Sequence, residues 1–289
     1  MKIGFIGAGK VGTAFGLYLH RKGIKISGYC SRTKESAIRA STITESCQYD
    51  NTQLVCENSD VIIITTPDGF ISQTAELLSN AVADWAHKTV CHMSGVYSSD
   101  ILSRLKGKGA TVCSLHPMMA FNDLESSVKA LEAACFTLDG YGEGLVIIKN
   151  LLDATKNKYF EINPQSKSLY HTASCMVSNY VVALLDAGME MFKTCGFPEE
   201  NIKELIIPIV NKVINDVFNM GTGKALTGPI SRGDTATVER HLKELKNHKK
   251  NWIDIYKALA IQTTELAFRA DKIDKQAENE IKEVLFRYE

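Results

Sequence analysis

The chain has 289 residues, 33 basic against 33 acidic, and 45% hydrophobic content. That length suits one large or two ordinary domains, and the apolar share is enough for a full core. With zero net charge and no charged block, nothing carries the electrostatic footprint of a nucleic-acid or membrane-surface protein.

In chain order, residues 2–6 predict a short apolar strand and residues 10–22 a helix that stops at Gly23. A second strand is expected at 24–29. Residues 60–65 carry an unbroken Val-Ile-Ile-Ile run, as in a strand covered on both faces. Further strands are expected at 89–93, 110–115 and 135–138, with helices near 69–81, 98–105 and 144–154. Parallel strands need crossover connections, so this alternation predicts an α/β fold with a doubly wound parallel sheet. From Pro164 onward no strand pattern occurs. One long helix is expected over 165–195, then helices over 198–220 (kinked at Pro208), 234–246, 252–270 and 275–286. The change of pattern places a domain boundary between 163 and 164.

None of the eight cysteines forms a C-x-x-C pair, and several sit in apolar runs, such as Val90-Cys91 and Thr111-Val112-Cys113. Free cysteine packs as a small hydrophobe, so we expect buried thiols in a reducing compartment and no metal site. The first residues lead directly into a strand, and no apolar run approaches the roughly 18 residues that span a bilayer. A soluble, cytoplasmic protein is the expectation.

Gly7-Ala8-Gly9-Lys10-Val11-Gly12 fits G-x-G-x-x-G, and it lies where a strand should end and a helix begin. Gly7 would allow the tight turn, Gly9 the approach of a pyrophosphate, and Gly12 close helix–strand packing. The helix N-terminus would offer free N–H groups to the phosphates. This is the mark of a Rossmann dinucleotide site; the alternative is an ordinary glycine-rich turn. The second strand ends in Cys30-Ser31-Arg32-Thr33, with no carboxylate for a ribose 2′-hydroxyl. Ser31 and Arg32 suit a 2′-phosphate, which predicts NADP(H) over NAD(H). Alternatively, Ser31 or Thr33 only caps the next helix and Arg32 is a solvated charge.

Polar groups recur where later strands should end at the ligand crevice: Thr66 and Pro67, His92 and Ser94, and His116 before Pro117. The bland alternative is that the prolines break strands while His92 and Ser94 satisfy local backbone groups. On the long helix, Lys167, His171, Ser174 and Ser178 fall on one stripe, with Asn179 at the edge of the apolar side. The stripe either carries proton donors or faces solvent. Thr227, Gly228, Arg232 and Asp234 lie in a shaped loop. There Arg232 suits a carboxylate or a phosphate, and Asp234 suits an N-cap.

On the Gly7–Gly12 turn, His92-x-Ser94-Gly95, His116-Pro117, Lys167-x-x-Tyr170-His171 with Ser178-Asn179, and Leu226-Thr227-Gly228-Pro229-x-x-Arg232-Gly233-Asp234, the chain resembles the DUF2520 family. Its members join a Rossmann domain to a helical domain and are related to pyrroline-5-carboxylate reductase and the 6-phosphogluconate dehydrogenase superfamily. The resemblance implies a dinucleotide domain over 1–163 and a helical substrate and dimerisation domain over 164–289. Some members look like an alternative ketopantoate reductase. That implies NADPH-dependent reduction of 2-dehydropantoate to pantoate, with substrate in an interdomain cleft beside the nicotinamide. Lys167 would then be the acid and Asn179 would orient the carbonyl. His116 or Ser94 would line the pocket, and His171, Thr227, Gly228, Arg232 and Asp234 would meet the substrate. A homodimer is implied too. The alternatives are an imine reductase of the pyrroline-5-carboxylate reductase type and a non-catalytic NADP-binding protein. Met118-Met119-Ala120 after His116-Pro117 departs from the familiar sequences.

Overall fold

The computed structural model describes residues 1–288. It divides into two compact units, Met1–Asn179 and Tyr180–Glu289.

The first unit is built on one eight-stranded sheet. Its elements are β1 (Lys2–Ile6), α1 (Lys10–Arg21), β2 (Lys25–Cys30), α2 (Lys34–Ile43), β3 (Cys47–Gln48), α3 (Thr52–Glu57), β4 (Val61–Ile64) and α4 (Ile71–Ala81). They continue with β5 (Thr89–His92), α5 (Ser103–Lys106), β6 (Thr111–Pro117), α6 (Leu124–Leu131), β7 (Phe136–Gly140), α7 (Glu143–Thr155), β8 (Tyr159–Glu161) and α8 (Lys167–Val177). The strand order is β3-β2-β1-β4-β5-β6-β7-β8. The reversal of direction at β1 and β4 is the switch point of a doubly wound sheet, where such folds hold ligands.

Both faces of the sheet are covered, which explains why every residue of β4 is buried. On one face Phe5 stacks on Tyr29 with centroids 5.0 Å apart, and Phe15 of α1 meets Phe5 edge-on. The other face packs Ile62, Ile64 and Val90 against Leu78 and the enclosed Trp85. Pairing is parallel except between β6 and β7, which are antiparallel. The expected doubly wound, mostly parallel sheet is thus present, with one antiparallel pair in it. The excursion from 118 to 135 is closed at its base by Met118 N–H donating to Cys135 O at 2.9 Å. The chain re-enters the sheet at the edge it left, so it must run back. This sets Ser114 opposite Asp139.

The cysteines also depart from expectation. Cys91 and Cys113 are register partners on β5 and β6, with Cα atoms 4.8 Å apart, and their sulfurs are joined as a disulfide. Cys30 and Cys56 are buried thiols, while Cys47 and Cys195 are exposed.

The expected single helix over 165–195 is broken. α8 ends at Val177, Ser178 takes φ −126° and ψ −77°, and α9 (Asn179–Thr194) follows. Ser178 Oγ donates to Ser174 O, a side-chain bond that competes with the helix ladder. By its contacts α8 belongs with the sheet, so the compact units part at 179, whereas composition changes at 163.

The second unit holds α9, α10 (Glu199–Met220), α11 (Thr222–Ala225), α12 (Thr235–Leu245), α13 (Lys250–Arg269) and α14 (Lys275–Phe286). Val238, Leu242, Ala260, Ala267, Ile281 and Leu285 form its core. By contrast α9 and α10 expose large apolar side chains, among them Val182 at 68%, Ile209 at 64% and Phe218 at 84%. One helical stretch, Pro164–Thr194, is long and apolar enough to cross a membrane by length and composition alone. Counting uninterrupted apolar runs misses it, because polar residues are spread through it.

Candidate active site

The glycine turn follows β1 directly. Gly7 has φ +109°, and a Cβ there would lie 2.7 Å from the carbonyl carbon of Thr65. A Cβ on Gly12 would collide with the Thr65 hydroxyl. That hydroxyl donates to Gly7 O at 2.8 Å, so the end of β4 clamps the turn. Around a Cβ on Gly9 nothing lies within 4 Å. Gly7 and Gly12 are therefore required by the fold, and Gly9 leaves its space open.

That space belongs to a cavity of about 830 Å³, near the upper end of the roughly 300–1,000 Å³ typical of ligand sites. Gly7, Gly9, Lys10 and Val11 line it, as do Ser31 and Arg32 from the end of β2. Thr66, Pro67 and Ser94 line it beyond β4 and β5. No carboxylate follows Cys30 at the β2 end. Thr66 Oγ1 is buried and has no hydrogen-bond partner among the described residues. A buried hydroxyl without a partner is uncommon, and a ligand would satisfy it. Thr33 does precede α2, but its hydroxyl donates to Ser36 Oγ at 2.7 Å and caps no backbone N–H. An open backbone cradle, a lone hydroxyl and an exposed guanidinium fit a phosphorylated dinucleotide.

A second cluster lies at the ends of β5 and β6. His92 is enclosed. Its Nδ1 accepts from Ser94 N–H at 3.1 Å, which leaves Nε2–H to donate to Ser98 O at 3.0 Å. Burial pushes its pKa down to about 4, so it stays neutral and shapes the turn. Ser94 Oγ accepts from the N–H groups of Val96 and Tyr97 at 3.2 and 3.3 Å.

Of the two readings of the α8 stripe, Lys167 takes the inward one. Lys167, His171 and Ser174 turn inward, Ser178 is exposed, and the apolar residues Leu169, Met176 and Val177 face out at 75%, 56% and 74% exposure. The cause is the lysine itself, which is fully enclosed. Its Nζ donates to Ser114 Oγ at 2.7 Å and to Ser94 O at 3.2 Å, and stands 3.6 Å from Asp139 Oδ2. Ser99 N–H donates to the other Asp139 oxygen at 2.7 Å. Burial lowers the Lys167 pKa, and the Asp139 carboxylate acts against that shift. The ammonium thus ties α8 to β6 and β7 and holds the Ser94–Gly95 turn.

His116 is half-buried beside this anchor. Its Nδ1 shares a 2.8 Å hydrogen bond with Tyr170 OH, and the rings meet edge-on. Burial first, then the charge of Lys167, holds its pKa down to about 4. His171 packs edge-on against it. Gly95 makes room for both rings, because a Cβ there would lie 2.7 Å from His116 Nε2 and 2.5 Å from His171 Cδ2. Met118 takes up the departure noted in the sequence: its sulfur accepts from Ser174 Oγ at 3.2 Å. Asn179 is exposed at the start of α9, its amide oxygen accepting from Ser178 Oγ at 3.1 Å, and no bond ties it to the cluster. Ser114, Asp139 and Tyr170 carry much of this arrangement and were not singled out by sequence. Tyr170 stood within a quoted motif, but its partner is 54 residues away.

In the second unit, Asp234 caps α12, accepting from Thr237 N–H at 3.0 Å and Thr237 Oγ1 at 2.7 Å. Gly228 and Gly233 have φ +102° and +70°, and Ser231 Oγ donates to Gly228 O at 2.9 Å. Arg232 is exposed. The loop that includes Thr227 is thus shaped by its own bonds.

Two family models match the chain: a Rossmann-like domain over residues 1–117 and DUF2520, a domain of unknown function, over residues 134–263. No curated protein matches it. Among solved structures, a protein from Thermotoga maritima is 26% identical, with TM-score 0.70 over 92% of this chain and 98% of that one. An imine reductase from Pseudomonas sp. is 15% identical, with TM-score 0.67 over 97% and 98%. The Plasmodium falciparum pyrroline carboxylate reductase with NADP bound is 13% identical, with TM-score 0.62 over 97% and 98%. The last two likenesses concern the fold.

Proposed function

We propose that this chain, which joins a Rossmann-like domain to a DUF2520 domain, is an NADPH-dependent oxidoreductase of a small 2-keto acid, with 2-dehydropantoate (ketopantoate) as the first substrate to test. The observation that carries this reading is the continuity of the two clusters through Ser94, which both lines the cavity and accepts the Lys167 bond on its carbonyl. The likeness in fold to a pyrroline carboxylate reductase with NADP bound supports the same cofactor class.

The turn from Gly7 to Gly12 would hold the pyrophosphate, with Ser31 and Arg32 taking the 2′-phosphate, and Thr66, Pro67 and Ser94 would complete the cradle. When bound, the cofactor supplies a hydride to the substrate carbon. Lys167 serves by its charge: enclosed and triply engaged, it favours negative charge developing near the Ser94–Gly95 turn. His116 and His171 face that turn and would contact the substrate. Asn179 is assigned to the substrate carbonyl; an alanine variant with unchanged KM would remove it.

The enclosure of Lys167 also favours a second reading, reduction of a cyclic imine, since an iminium carbon needs no acid at the site. The deciding experiment follows NADPH consumption with ketopantoate, other 2-keto acids and pyrroline-5-carboxylate. Turnover on the imine alone removes the keto-acid reading, and cofactor binding without any turnover removes both. The outward apolar faces of α8, α9 and α10 support a homodimer, because monomers rarely expose contiguous patches beyond a few hundred Å².

A further inference from the structure

A ketone that gains a hydride must also gain a proton, and the group that gives it must border the cavity, hold a proton at neutral pH and recover it from water. Lys167 fails the first condition, being enclosed with its ammonium spent on Ser114, Ser94 and Asp139. His92 fails it too, since both ring nitrogens are engaged by local backbone. Ser114 is fully buried.

The pair His116 and Tyr170 is the best placed: neither lines the cavity, but His116 abuts its wall at Gly95, and both groups carry exchangeable protons. His116 Nε2 lies beside Gly95, one residue after the cavity-lining Ser94. Its Nδ1 is bonded to Tyr170 OH at 2.8 Å. Tyr170 is only half-buried, open to exchange with water. Among the described residues its one alternative acceptor is the Met118 sulfur at 3.6 Å, a weak acceptor at long range. The Lys167 ammonium lies 5.9 Å from the centre of the Tyr170 ring, where its charge offsets a negative charge left on the phenol oxygen.

We propose that Tyr170 is the positioning residue and proton source of His116: its hydroxyl donates to Nδ1, fixes the ring proton on Nε2 above Gly95, and replaces that proton when Nε2 passes it to the substrate oxygen. This rests on the keto-acid reading. The carbonyl carbon gains the hydride from the reduced nicotinamide and the C=O π bond opens onto oxygen. That oxygen takes the proton from His116 Nε2 while Nδ1 takes the Tyr170 proton, and the starting tautomer is restored when water delivers a proton to Nε2 and Nδ1 returns its own to the Tyr170 oxygen. Charge and atoms balance with the imidazole neutral before and after, in keeping with a ring that resists protonation.

The test joins nitrogen NMR of the His116 ring with kinetics. In the native chain at neutral pH the ring should carry its proton on Nε2, and Tyr170→Phe should give a mixture of tautomers. Tyr170→Phe should leave NADPH affinity within about twofold of native and cut kcat on the turned-over keto acid about 100-fold. The double variant Tyr170→Phe/His116→Asn should be no slower than His116→Asn alone, because the two act as a unit. A native ring protonated on Nδ1 overturns the relay whatever the activity. So does a folded Tyr170→Phe whose kcat stays within about threefold of native. If the native chain consumes no NADPH on any keto acid, the reading of the preceding subsection falls, and the tautomer still decides the hydrogen-bond direction.

Discussion

Lys167 Nζ and Asp139 Oδ2 face each other 3.6 Å apart in a place water does not reach, and that carboxylate oxygen has no hydrogen-bond donor among the described residues. Removing one partner of a buried ion pair strands the other, at about 3–5 kcal/mol. Lys167→Met should lose stability of that order in urea denaturation. Lys167→Met/Asp139→Asn should regain most of it, since Asn keeps an acceptor for Ser99 N–H. Equal losses in the single and double variants would show that the pair is not what anchors α8.

Acid should weaken the fold through the histidines. His92 and His116 fall from 6.5 to about 4, so the folded chain favours their neutral forms. Below 6.5 the unfolded chain binds protons that the folded chain refuses. Their contribution is therefore complete above 6.5 and is lost as the pH drops toward 4. For the enclosed His92 the loss is on the order of 2–3 kcal/mol. Melting temperatures between pH 7 and 4.5 should fall less steeply in His92→Asn than in the native chain; parallel slopes would contradict the assignment.

The glycines of the turn should separate by role. Gly12→Ala collides with Thr65 and should destabilise the chain, whereas Gly9→Ala meets no protein atom. Gly9→Ala should keep the native melting temperature and weaken NADPH binding by about tenfold or more, about 1.4 kcal/mol. Fluorescence titration of NADPH checks this, and unchanged affinity in Gly9→Ala would mean that the phosphates do not lie on the turn.

Cofactor choice is tested at Arg32. A hydrogen bond to a charged group contributes about 1.5–3 kcal/mol. Arg32→Ala should therefore weaken NADPH by about tenfold or more and leave NADH nearly unchanged. Equal effects on the two cofactors would place the guanidinium elsewhere than on a 2′-phosphate.

Light scattering tests the assembly. Phe218 is 84% exposed on α10, and burying a charge in its place without a partner is costly. The native chain should have the mass of a dimer and Phe218→Glu that of a monomer. A monomeric native chain would leave these apolar faces without a second copy to cover them.

Much of this was legible in the sequence where the cause is local. The roles of Gly7, Gly9 and Gly12 follow from backbone sterics at the turn, and the buried β4 from its apolar run. The missing acid after Cys30 needs no tertiary information. What was not legible depends on distant partners. The direction of β7 is set by the closure of Met118 on Cys135, which periodicity does not carry. The inward turn of the α8 stripe depends on Ser114, 53 residues away from Lys167. An amphipathic pattern shows that a helix has two faces, not which one its neighbours will take.

The reversed strand has one more consequence. The residues that line the cavity come from β1, β2, β4, β5 and the turns after them, whereas Ser114, His116, Asp139 and Lys167 come from β6, β7 and α8. Because β7 runs backward, its far end delivers Asp139 beside Ser114 without passing through the nucleotide half of the sheet. On the proposed roles, cofactor binding and proton transfer would fall on separate stretches of chain. Substitutions near β6 and β7 would then exchange one substrate class for another while the nucleotide stays the same.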